Sequence, residues 1–139
     1  MARVPVWFDI AQDLTERWVH QMQIREAVGR VDEYAGRYLP TILRTFVWAL
    51  PHQYRVEAPA GTTVQVDLES GGAWWLTCDG SSRWSLEEGR PEAANALAWF
   101  ADGAGWRWFT GAAVPSDGVR MEVPADLCRP LLEVRGILA

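Results

Sequence analysis

Hydrophobic positions in the first third of the chain recur at helical spacing. Residues 9–28 contain neither Gly nor Pro, begin at Asp9, whose carboxylate suits a helix cap, and stop at Gly29. This pattern predicts a helix. A rotation of about 100° per residue puts Ile10, Ala11, Leu14, Trp18, Met22 and Val28 on one arc, with Glu16 and His20 on the opposite side near Ile24 and Ala27. After a connection containing Asp32 to Arg37, Pro40 suits a first helical turn, and Ile42, Leu43, Phe46, Val47 and Leu50 repeat at the same period. A second helix is expected from about 40 to 50, stopping near Pro51.

Beyond His52 the period changes from helical to alternating. Val64, Val66 and Leu68 alternate with Thr63, Gln65 and Asp67, and Ser70-Gly71-Gly72 turns the chain into Ala73 to Cys78. Asp79-Gly80 is a second hairpin signal, followed by Arg83 to Leu86. With Tyr54 to Ala58 in front, these segments predict a four-strand antiparallel meander; Asn95 to Phe100 is a candidate further strand and Gly105 to Thr110 a short helix. Over 124–138, Leu127, Leu131, Leu132, Val134 and Ile137 outline an amphipathic closing helix with Pro130 near its first turn. The expected fold class is therefore α+β: a helical segment over 1–51, then an α+β domain over 52–139 with an antiparallel sheet and a C-terminal helix.

Composition narrows the function classes. With 139 residues, 49% of them hydrophobic and 22% charged, the chain reads as one or at most two small globular domains. Its formal charge is −5, and all 13 basic residues are arginines scattered singly, so no basic patch for nucleic acid is expected. That all-arginine usage points to a GC-rich bacterial genome. No apolar run reaches the roughly 18 to 20 residues of a membrane span, and Met-Ala-Arg-Val-Pro lacks a signal-peptide core, so a cytoplasmic protein with no membrane partner is expected. Cys78 and Cys128 stand far apart without metal-ligand spacing and are read as reduced packing residues. Nine tryptophans fit either bulk for a core or an aromatic-lined ligand cleft, the core being the simpler reading.

Candidate chemistry is sparse. No phosphate-binding glycine loop, nucleophile elbow or HExxH pattern is present. What remains is Glu16-Arg-Trp-Val-His20: a Glu and a His four apart lie one turn from each other on a helix, so both side chains can reach one ion. A catalytic divalent metal takes about three protein ligands, and a pair at this spacing is also what a solvated helix surface carries.

The segment around that pair, Leu14-Thr-Glu-Arg-Trp-Val-His-Gln-Met-Gln-Ile-Arg-Glu-Ala-Val-Gly29, closely resembles the last bundle helix of the mycothiol-dependent maleylpyruvate isomerase family, part of the DinB-like superfamily. The resemblance continues through Phe46 to Arg55, Ala58 to Val64, Trp106 to Gly111 and the closing segment, covering nearly the whole chain. It implies that the N-terminal helices are the end of a metal-binding bundle and that the following domain is sterol-carrier-like. It further implies Glu16 and His20 as ligands of a divalent metal, zinc most often, with mycothiol as thiol cofactor and a small electrophile as substrate. The metal's work in such a site is to keep the thiol as its nucleophilic thiolate. The family also supplies a histidine from an earlier helix. Only 15 residues precede Glu16 here, and His52 matches the domain junction, so a third ligand is expected from a second copy, a partner bundle or further N-terminal sequence. A family arginine near the cofactor corresponds to none of Arg107, Arg120, Arg129 or Arg135 in particular. The alternative function is a non-catalytic sterol-carrier-like module that binds a small apolar ligand or a protein.

Overall fold

The first turn-free stretch forms the longest element. A computed structural model of the chain describes residues 6–29, 38–122 and 124–135. Helix α1 spans Val6–Ala27, three residues earlier than the sequence pattern places its start. It buries Thr15, Trp18, Val19 and Met22, with Leu14 half-buried beside them. Ile10 and Val28, expected on the same arc, are instead exposed, because the buried line runs through Thr15 and Val19 rather than through the helix ends.

Helix α2 (Leu39–Phe46) starts with Pro40 in its first turn and buries Leu39, Ile42, Leu43 and Phe46. Pro51 does not end the helical path. The chain tightens into a 3-10 turn over Val47–Ala49 and restarts as α3 (Leu50–Gln53), with Pro51 in the first turn, where its missing N–H has no partner to lose. The connection through Asp32 to Arg37 lies outside the described residues.

Three strands then form the predicted meander: β1 (Thr63–Leu68), β2 (Gly72–Cys78) and β3 (Trp84–Glu88), paired antiparallel through short turns. The expected leading strand is absent. Residues 54–58 are extended but make no ladder; they are tied across the end of the β2–β3 hairpin by Ala58 N–H to Ser81 O and by Trp84 Nε1–H to Val56 O.

Strand β4 (Ala96–Phe100) corrects the antiparallel expectation, since it pairs parallel with β1. The cause lies in Asn95 and Thr63. Asn95 Oδ1 accepts from Thr63 N–H and Asn95 N–H donates to Thr63 O, so the start of β4 is fastened to the start of β1 and both strands run the same way. To arrive there, residues 89–95 cross the outer face of the sheet, where Arg90 meets the outward-pointing Asp67 at 3.5 Å. After α4 (Asp102–Thr110), a short β5 (Val119–Met121) that the sequence pattern did not reveal adds antiparallel to β4. The sheet is mixed, in the order β3-β2-β1-β4-β5.

The expected closing helix is shorter than its pattern, being α5 (Ala125–Cys128) followed by a 3-10 stretch over Arg129–Glu133. Pro130 stands second in that 3-10 stretch and removes a backbone donor there. Ile137 and Leu138 lie outside the described residues.

One face of the sheet, carrying Val64, Val66, Leu68, Leu76, Ala98 and Phe100, packs under the helices as the core. Trp108 stacks on Phe100 at 3.9 Å between ring centroids, and its indole N–H donates to Leu131 O. Gly105 and Gly71 let α4 and the β1–β2 turn close on α2: a Cβ at either would meet Leu43, at 3.0 and 2.8 Å. The buried side chains of α1, α2 and α3 belong to this same cluster. Trp18 meets Trp106 edge-on at 5.9 Å, while Glu26 binds Arg107 of α4 at 2.9 Å, fixing α1 against the sheet domain.

Candidate functional sites

Two places stand out as candidate sites. The first is the open side of α1. Glu16, His20 and Ile24 follow one another at four-residue steps and form a ridge along α1, while Val28 lies one residue past the helix end and about 120° round from Glu16. All four are exposed, Ile24 by 60% and Val28 by 64%. The ridge thus carries a carboxylate, an imidazole and an apolar side chain, with a second apolar side chain just beyond the helix. Glu16 and His20 share a face, as their spacing predicts. Among the described residues no group of three or more His, Cys, Asp or Glu is placed to hold a metal ion, so Glu16 and His20 stand without a third such side chain there.

The other candidates fall elsewhere. His52, at the end of α3, is exposed and lines a cleft with no part in the α1 ridge. Arg107 is spent on fastening α4 to Glu26 and on its own Gly103 carbonyl, with its guanidinium 4.5 Å from the Trp106 ring. Arg135 donates to Leu132 O and Val134 O, and Arg120 lies over Trp99. Arg129 is exposed beside Cys128.

Both cysteines are buried free thiols. Cys78 Sγ–H reaches Ala58 O and Ser81 O, and Cys128 Sγ–H reaches Glu122 O at 2.9 Å. Burial pushes the Cys128 thiol up, as it does the Tyr54 phenol, whose O–H donates to Leu127 O at 2.6 Å. A thiol held protonated is a poor nucleophile, which fits Cys128 to packing.

The second place is a cleft of about 670 Å³ between the α2–α3 path and the edge strand β3. Its helical wall is the stripe Thr41, Arg44, Trp48 and His52, which recurs every three or four residues on the side away from Ile42, Leu43, Phe46 and Leu50. Its sheet wall is Trp74, Leu86 and Glu88; β2 and β3 bring Trp74 opposite Glu88 and Leu76 opposite Leu86. Trp74 is held in place by its indole N–H, which donates to Gly71 O at 2.9 Å. Arg44 reaches across the mouth, with its guanidinium 5.5 Å from the Trp74 ring and Nη2 donating to Glu88 Oε2 at 2.6 Å. The cleft was not foreseen residue by residue. The spacing of Thr41, Arg44, Trp48 and His52 was a readable signal, but its opposite wall depends on strand register.

Trp18, Trp74, Trp84, Trp106 and Trp108 are core bulk, the simpler of the two expectations; Trp74 also lines the cleft, with half-buried Trp48. No described helix is long and apolar enough to cross a membrane. No family model, curated protein or solved structure matches the chain.

Proposed function

We propose that the chain is one part of a cytoplasmic, mycothiol-dependent, metal-binding isomerase or transferase, in which Glu16 and His20 provide two ligands of a divalent ion, zinc by preference. The observation that carries the reading is the exposed ridge Glu16-His20-Ile24, with exposed Val28 just past the helix end. A metal pair intended to be completed from outside has to face outward, and an apolar seam one turn away gives an incoming helix something to bury. No group of three donors among the described residues closes a catalytic coordination set, so in this reading the third ligand comes from a second copy, a partner bundle or further N-terminal sequence. When bound, the ion supplies the charge that keeps the cofactor sulfur as a thiolate for addition to a small electrophile. Glu16 and His20 hold that ion, and α1 is itself held by Trp18 on Trp106 and by Glu26 on Arg107.

The test is the metal content per chain of protein purified without added metal or an affinity tag, measured by mass spectrometry beside His20→Ala and Glu16→Ala. About one zinc, iron, nickel or manganese per chain or per dimer, lost in both variants, is expected. A folded protein holding no metal in any sample, alone or with its partner, overturns the reading.

The cleft favours a second reading, a sterol-carrier-like module that binds a small ligand without catalysis. It predicts that neither Glu16→Ala nor His20→Ala alters ligand binding.

A further inference from the structure

We infer that the cleft beside β3 is a binding site for a monoanionic carboxylate with a flat apolar body, the ligand's carboxylate taking the place of Glu88 on Arg44. The inference rests on the cleft alone and stands under either reading of α1. At about 670 Å³ the space suits a ligand of ordinary small-molecule size. Trp48, Pro51, Leu86 and the small exposed part of Trp74 make its walls largely apolar, which favours a flat apolar body in the space between them.

The charged end is set by Arg44. Its guanidinium presents five N–H donors in a fork that fits a carboxylate with two parallel hydrogen bonds, and the contact with Glu88 uses Nη2 alone. Both side chains of that pair are about half exposed, at 52% and 53%, so exchanging Glu88 for a ligand carboxylate sacrifices little. Glu88 stands at the end of the sheet's edge strand and can turn to water when released. A cationic ligand fits worse. The ring face of Trp74 already has a cation over it, and that cation is tethered by its own side chain and neutralised by Glu88.

The probe is 2-naphthoate, titrated into the full chain labelled with 15N and followed through its indole N–H signals, with Arg44→Gln and Glu88→Gln as variants. Naphthalene-2-methanol and naphthalene-2-methylammonium are the neutral and cationic controls. The expected result is saturable movement of the Trp48 and Trp74 signals with those of Trp106 and Trp108 unmoved. Binding should weaken at least ten-fold in Arg44→Gln and tighten in Glu88→Gln, and both controls should bind at least ten-fold more weakly. The spectra themselves report that both variants are folded. Unmoved Trp48 and Trp74 signals up to the solubility of the probe overturn the site. Equal binding by Arg44→Gln, or loss of binding in Glu88→Gln, overturns the assigned ligand class.

Discussion

Two tryptophan-rich regions of this small protein are finished differently. Around Trp108 both the rings and the donor are enclosed: Phe100 and Phe109 stack on it at 3.9 and 4.2 Å, and its one donor is satisfied by Leu131 O. At the cleft, half-buried Trp48 and Trp74, itself a core residue only 6% exposed, border an open space, with Arg44 over the Trp74 ring. Tryptophan content alone could not separate these settings. What separates them is whether the space beside the ring is filled, as Phe100, Phe109 and Leu131 fill it around Trp108.

The strongest test of that contrast is Trp108→Ala. It removes a fully buried ring, two stacking partners and the donor to Leu131 O, and should cost about 3–5 kcal/mol of unfolding free energy by urea titration. Next comes Tyr54→Phe, which keeps the ring against Trp84 but strips the hydrogen bond to Leu127 O. That carbonyl stays buried without its donor, so a loss of about 1–3 kcal/mol is expected.

A pH series separates the sealed region from the open one again. Burial raises the Cys128 thiol and the Tyr54 phenol, so the folded chain keeps protons that the unfolded chain has released. Stability from the thiol is therefore whole below its unfolded pKa of about 8.5 and declines as pH rises past it, with tyrosine adding to the decline above about 10. The urea midpoint should fall between pH 8.5 and 10.5, and Cys128→Ala should flatten the first part of that fall. The smallest effect belongs to the cleft. Arg44→Gln breaks an exposed ion pair and should change stability by less than about 1 kcal/mol, whatever it does to ligand binding. A larger loss would show that the cleft region supports the fold as Trp108 does.

Helical periodicity was a sound guide wherever a helix buries one continuous stripe. Ile42, Leu43, Phe46, Val47 and Leu50 all enter the core, and the three-strand meander follows from period-two alternation and its glycine turns. The pattern failed where long-range geometry decides. Nothing local in Ala96–Phe100 distinguishes a parallel neighbour from an antiparallel one; the Asn95–Thr63 clasp, 32 residues apart in sequence, makes that choice. Val119–Met121 is too short for alternation to register, and Tyr54–Ala58 has a strand-like composition yet finds no strand edge to pair with. The sites divide in the same way. Glu16 and His20 share a face because four-residue spacing on a helix requires it, whereas Arg44 and Glu88 meet only through the tertiary fold.

The parallel pairing of β1 with β4 also sets an order of events when the chain folds. β1, β2 and β3 are joined by short turns and can close early, but the far edge of β1 has no neighbour until Ala96–Phe100 has been made and carried back across the sheet. During synthesis that edge, with Val64 and Val66 beside it, is an unpaired template for any other strand in reach. A nascent chain halted before residue 96 should therefore associate with its own kind, and the Asn95 clasp marks the point in translation after which that hazard closes.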